Sequence, residues 1–276
     1  MAGKRLRVIL VIGSVIIAAL VYLAPKNQLR SDDHSLPEQK QLSIDEAGLI
    51  RDARLRLSKA DSEILKELEA GDASTNDTSS YRKLVGFWTS KSDPGTAGLY
   101  LIKIAKVSGS AGDWSESGSL LYQAFRTATD SLNRAYLSKE AVKAYEKALE
   151  LKPGDPDIMT ALAACYVEGS NEPMKGITML REVVAEHPDH VNAQLNLGFF
   201  SIRSGQYEKA LERFNNVLKA NPDRVDVYLY LGETQLEMGR KEEALKSFET
   251  FKSLSKDKDM IRDVDHYIDQ IKNSNN

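Results

Sequence analysis

The chain reads as an all-α protein, a solenoid of antiparallel helical hairpins preceded by one N-terminal transmembrane helix. Three observations predict this. Apolar residues recur at steps of three and four over most of the length, the second half repeats itself at a fixed offset of 34 residues, and an uncharged apolar run of 17 residues, Val8 to Ala24, follows the basic opening MAGKRLR. Only 8 of 276 residues are Pro and 17 are Gly, so helices meet few interruptions. With 28% charged and 42% hydrophobic residues the composition is that of a folded chain. Acidic and basic residues are interspersed to a net charge of −3, which offers no cationic field, and nucleic acid is not expected as a partner. The single cysteine, Cys165, rules out an internal disulfide without deciding the compartment.

Residues 1–7 carry Lys4, Arg5 and Arg7 and read as a cytoplasmic N-terminus; residues 8–24 read as a signal-anchor helix. At 1.5 Å per residue that run reaches roughly 26 Å, enough to cross the hydrocarbon layer, with Tyr22 at the interface. The alternative is a cleaved signal peptide. Its requirement for small residues before the cut is poorly met, because Pro25 follows Ala24 and Tyr22 lies two positions upstream. No Cys follows the run, which excludes lipoprotein processing. The positive-inside rule places everything after Pro25 on the far side of the membrane; Lys26 and Arg30 oppose that orientation without reversing it. Residues 25–41, PKNQLRSDDHSLPEQKQ, are polar and aperiodic and read as a flexible tether.

An N-terminal helical region occupies residues 42–112. A capping box from Ser43 to Glu46 opens a helix whose apolar residues Ile50, Ala53, Leu57, Ala60, Ile64 and Leu68 form one stripe as far as Gly71. Such a stripe serves either a coiled-coil dimer or, as the plainer reading, packing on the helices that follow. GDASTNDTSS, residues 71–80, is a polar linker in which Asn76-Asp77-Thr78 matches a glycosylation acceptor. Tyr81 to Trp88 and Ala97 to Val107 make a helical hairpin around the turn SKSDPGT. Gly109, Gly112 and Gly118 fall in a serine-rich loop that follows a helix rather than a strand, the wrong context for cradling a phosphate.

The repeat array spans residues 113–258. An offset of 34 aligns Leu197-Gly198 with Leu231-Gly232, Gly205 with Gly239, Ala210 with Ala244 and Phe214 with Phe248. One period earlier stand Ala163-Ala164, Gly176 and Leu180, and Pro188 falls in register with Pro222. This gives units at 157–190, 191–224 and 225–258. A weaker unit at 122–156 fits through Phe125, Ala128, Ala141, Tyr145, Ala148 and Pro153, with Thr129 where later units have glycine. The hairpin from Thr78 to about Gly109 is a candidate fifth, degenerate unit through Leu84, Ala97 and Leu101. Small Gly198 and Gly232 let paired helices approach closely, and Phe214 and Phe248 fill the space between hairpins. Gly205 and Gly239 suit the left-handed end of a first helix. Asp189 and Asp223, behind Pro188 and Pro222, are the expected caps of the next helix. In the last segment, 259–276, Ile261, Val264, Ile268 and Ile271 share one face, as a solvated capping helix requires.

With SGQYEKALERFNNVLKANPD and MGRKEEALKSFETFKSL as its best matches, this array resembles the tetratricopeptide repeat family. The resemblance implies two antiparallel helices per unit and a role in binding peptides or helices, without naming a partner. A single span ahead of such an array also resembles membrane-anchored tetratricopeptide proteins of the bacterial envelope. That implies an inner-membrane protein with its repeats in the periplasm and an accessory role in assembly or secretion.

In a solenoid of this kind the first helix of each pair lines the concave surface. The face away from the partner helix carries Ile158, Ala161 and Cys165, then Leu195, Phe199 and Ile202, then Leu229, Glu233 and Leu236. Leu195, Phe199, Ile202, Leu229, Glu233 and Leu236 are therefore the candidate protein-binding groove, suited to a protein or peptide with an apolar or amphipathic segment. The chain's own N-terminal helix, or the stripe from Ile50 to Leu68, is the alternative occupant. Some members of the family grip a C-terminal carboxylate with paired basic and Asn residues. Asn196 sits at a matching place, but Asn192 and Asp226 beside it are not basic, which speaks against that mode. Asp226, Glu233 and Glu237 form an acidic edge that would prefer a basic partner, though charge on a helix face is more often simply solvated.

No constellation for catalysis stands out, and neither a cofactor nor a metal is expected. His187 and His190 in EHPDH fall in a turn between units, and Cys165 has no basic partner near it in sequence and reads as a packing residue. The function expected from the sequence is a membrane-tethered scaffold. The alternative is a structural homo-oligomer, a dimer at its simplest, built through the N-terminal helix and the repeats.

Overall fold

Residues 44–70 and 78–273 are described by the computed structural model. The expected membrane anchor at 8–24, the tether at 25–41, the Ser43 cap and most of the glycosylation pattern lie outside them. Among the described residues no helix is long and apolar enough to cross a membrane. The described residues form thirteen α-helices: α1 (Glu46–Leu55), α2 (Lys59–Ala70), α3 (Thr78–Ser90), α4 (Pro94–Ser108), α5 (Ala111–Thr127), α6 (Ser131–Leu151), α7 (Pro156–Gly169), α8 (Pro173–Glu186), α9 (Val191–Arg203), α10 (Tyr207–Ala220), α11 (Val227–Glu237), α12 (Lys241–Leu254) and α13 (Lys258–Asn273). From α3 onward, short turns make each helix pack on the one before it.

The first stripe is not one helix. Asp45, not Ser43, caps α1, its carboxylate accepting the Gly48 N–H at 2.8 Å. The helix then stops at Leu55 because Ser58 starts another: its hydroxyl oxygen accepts the Asp61 N–H at 3.1 Å and its O–H donates to the Asp61 carboxylate at 2.9 Å. The break turns Leu55 and Ile64 outward, 79% and 47% exposed, while Ala53 and Leu65 are buried with Leu84, Phe87 and Trp88. A continuous seam for a coiled-coil dimer is thereby lost. Ile44, Leu49 and Ile50 instead pack into the cluster that holds Leu99 and Leu121, so this segment covers α4 and α5 and not the groove of the later repeats.

The expected serine-rich loop is mostly helix. Gly109 ends α4 with φ of +63°, and Ser110 opens α5 by accepting the N–H groups of Gly112 and Asp113. The small residues serve close approach. A Cβ on Gly118 would lie 2.8 Å from the Tyr145 ring, and the buried Ser117 hydroxyl donates to the Gly98 carbonyl at 2.9 Å. The unit boundary at Tyr122 accordingly falls inside a helix, and the leading pair of the array is long, 17 residues in α5 and 21 in α6.

From α7 to α12 the helices form regular pairs, α7 with α8, α9 with α10 and α11 with α12. Gly205 and Gly239 adopt φ of +70° and +72°, and Pro156 and Pro173 stand at the first helical positions. The caps differ. His190 rather than Asp189 caps α9, and Asp226 rather than Asp223 precedes α11, without a side-chain cap bond. A Cβ on Gly198 would meet Phe214, and one on Gly232 would meet Phe248, each at 2.5 Å. Both rings are almost wholly buried, each contributing about 1.5–3 kcal/mol of apolar burial. Val264, Ile268 and Ile271 of α13 close the array on Phe248 and Phe251.

Candidate functional site

α9 and α11 are the first helices of consecutive pairs, so Leu195, Phe199 and Ile202 recur one period later as Leu229, Glu233 and Leu236. The structure sorts these residues by exposure. Leu195, expected on the groove wall, is 8% exposed and belongs to the floor, in a cluster with Leu211, Phe214, Val217 and Val227. Phe199 and Ile202 are half-buried against that cluster; Leu229 and Leu236 are half-buried against the one built on Phe248. Ile158 and Cys165 are buried with Phe125, Tyr145 and Leu162, so side chains of α5 and α6 close the apolar surface at that end. Of the six candidate groove residues, Phe199, Ile202, Leu229, Glu233 and Leu236 keep accessible surface, on α9 and α11.

Phe199 does not stand alone. Its ring packs edge-on against Tyr230 at 4.8 Å between centroids and against Phe214 at 5.5 Å, and Tyr230 lies 5.7 Å from Phe214. Tyr230 was not among the sequence-derived groove residues, because it lies off the stripe stepped from Leu229. Its phenol is raised above the ordinary tyrosine value, first by burial and next by the charge of Asp226, with which it shares a hydrogen bond. Asp226 is itself gripped by Arg224, which donates from Nε at 2.8 Å and from Nη2 at 2.7 Å and holds the carboxyl below its usual range.

Glu233 is the odd carboxylate of the three on the acidic edge. It forms no ion pair with a described residue, and helix spacing sets it one turn from both Leu229 and Leu236. Although the residue is exposed, desolvation raises its carboxyl above the ordinary glutamate value. Glu237 is exposed.

The residues expected to be chemically idle are held in place. His190 accepts the Ala193 N–H on Nδ1 at 3.2 Å, and its Nε2 lies 3.1 Å from an Asp157 carboxylate oxygen, which ties α9 back to α7. His187 is exposed in the turn, and no cluster of metal-ligating side chains occurs among the described residues. The Cys165 thiol is 1% exposed and pushed far up, first by burial and then by the charge of Glu168. Gln194, almost wholly buried, donates to the Pro188 carbonyl at 2.7 Å and accepts from Arg213 at 3.2 Å, fixing the turn that leads into the groove helix.

This pairing of helices, with Gly198 and Gly232 of two first helices set against Phe214 and Phe248 of the second helices, is that of an α-solenoid of the tetratricopeptide type. Two family models, both described as tetratricopeptide repeat, match residues 201–251 and 137–155. Among solved structures, MamA 41-end from Desulfovibrio magneticus RS-1 is 19% identical over 64% of this chain and 94% of its own, with a TM-score of 0.50. The crystal structure of YrrB, a TPR protein with an unusual peptide-binding site, is 18% identical over 75% of this chain and 98% of its own, at 0.46. A further crystal structure of MamA protein gives 18% over 64% and 91%, at 0.48. No curated protein sequence matches the chain at a significant level. These likenesses bear on the fold.

Proposed function

We propose that the chain is a non-enzymatic scaffold that recruits another protein by holding an apolar or amphipathic segment of it against α9 and α11. The observation that carries this reading is the row of half-buried apolar side chains, Phe199, Ile202, Leu229 and Leu236, on two successive first helices. Phe199 and Ile202 are supported from behind by Leu195 and Phe214, and Leu229 and Leu236 by the cluster around Phe248, so the surface is preorganised for a ligand. The uncharged run from Val8 to Ala24 and the basic residues ahead of it support tethering of the scaffold to the inner membrane, with the repeats in the periplasm and a part in envelope assembly or secretion.

The test is a photocrosslinking amino acid placed at Ile202 or Leu236 of the full-length protein in its native membrane, with Lys219, exposed on α10, as the control position. A discrete partner trapped from both groove positions and not from Lys219, and lost when Phe199 and Leu236 are both changed to Asp, is the expected result. Adducts that form equally well from Lys219, or that survive the double substitution, overturn the assignment of the groove.

A further inference from the structure

We infer that the segment bound in this groove is amphipathic and cationic, carrying a Lys or Arg among its apolar residues that pairs with Glu233. The inference rests on the scaffold reading above and deepens it. An uncharged apolar segment would suffice for Phe199, Ile202, Leu229 and Leu236, but it would cover Glu233 and leave a carboxylate out of water with no counter-charge, which is costly. Among the described residues no basic side chain forms an ion pair with Glu233. Arg224 is bound to Asp226, Arg240 to Glu208 with Glu243 at 4.0 Å, and Arg213 to Gln194. Asp226 is satisfied by Arg224 and Tyr230, so it is not the group that calls for a partner. Glu233 stands where Phe199 stands one period earlier, so one ligand segment laid along the first helices meets an aromatic edge and then a carboxylate. Desolvation of that carboxyl before any ligand arrives fits a position already set among apolar neighbours, where a charge-assisted bond is strong.

The experiment selects a displayed random-peptide library against the full-length protein in nanodiscs. It is run with the wild type, Glu233→Gln, Glu233→Lys, and the double variant Phe199→Asp, Leu236→Asp. Wild-type selections are expected to yield apolar peptides enriched in Lys and Arg, and those peptides should bind Glu233→Gln about tenfold more weakly. Selections on Glu233→Gln should keep the apolar residues and lose the basic excess, and Glu233→Lys should favour acidic residues instead. If wild-type peptides show no basic excess, or bind Glu233→Gln equally well, while still failing on the double variant, the cationic ligand is overturned and the scaffold reading stands. If no peptide is enriched over the double variant, both fall.

Discussion

Replacing Gly232 by alanine should destabilise the protein, whereas the same replacement at Gly86 should stabilise it. A Cβ at Gly232 would lie 2.5, 2.7 and 2.9 Å from Cε1, Cζ and Cδ1 of Phe248, whose ring is 1% exposed and flanked by Tyr267 at 5.4 Å. Carbon atoms in contact prefer about 3.5–4.0 Å, so the methyl intrudes by roughly 1 Å on a ring with nowhere to go. That is the upper part of the overpacking range, about 2–3 kcal/mol, from which the better helix propensity of alanine recovers about 1 kcal/mol. The net loss is about 1–2 kcal/mol. Gly86 lies in mid-helix with nothing within 4 Å of its Cβ position, so only the propensity gain of about 0.5–1 kcal/mol remains there. Urea unfolding followed by helical circular dichroism should place the midpoints of the two variants on opposite sides of the wild type. In a Phe248→Leu background, where the ring edge is gone, the penalty at Gly232 should shrink or reverse. A Gly232→Ala midpoint that rises as the Gly86→Ala midpoint does would refute the close approach of α11 and α12.

Two further outcomes are expected. Because the Glu233 carboxyl is raised in the folded protein, its protonated form is the one the fold favours; the associated stability is full in acid and lost as pH rises through the raised value. Glu233→Gln should therefore melt above the wild type at neutral pH and converge with it in acid, and a lower melting temperature at neutral pH would count against desolvation at this site. Cys165, with its buried and poorly ionised thiol, should resist a thiol reagent in the native protein and react fully in denaturant; rapid labelling without denaturant would show that α7 is not packed as described.

The repeats were legible because both ends of one contact recur at the same interval. Gly198 meets Phe214 and Gly232 meets Phe248, so neither can drift without the other. α5 was hidden for the opposite reason. Gly112, Ser115, Ser117 and Gly118 are poor helix formers in isolation, and their value appears only when Tyr145 and Gly98 are brought beside them. Helical stepping predicts one face for Phe199, Ile202, Leu229 and Leu236, and all four are half-buried, since which side of a helix a residue occupies is a local property. Whether a neighbour closes over that side is not local. Leu195, Ile158 and Cys165 are buried by other helices, and Tyr230 joins Phe199 across a repeat boundary. The shift of the α9 cap from Asp189 to His190 has a similar origin, for it is the path of the turn that decides which side chain reaches the open N–H of Ala193.

The two ends of the molecule differ in how their cores are shared. One cluster joins Leu49, Leu99, Leu121, Tyr145 and Leu162 from five different helices, while beyond α7 the clusters draw mainly on adjoining pairs. The first part therefore behaves as a foundation and the second as masonry. A hairpin spliced in after Pro222 needs to satisfy only the courses above and below it, so lineages are free to lengthen or shorten the array there. An insertion or deletion within α4 to α6 would have to be answered by every helix around it, and descent should have kept that stretch at constant length.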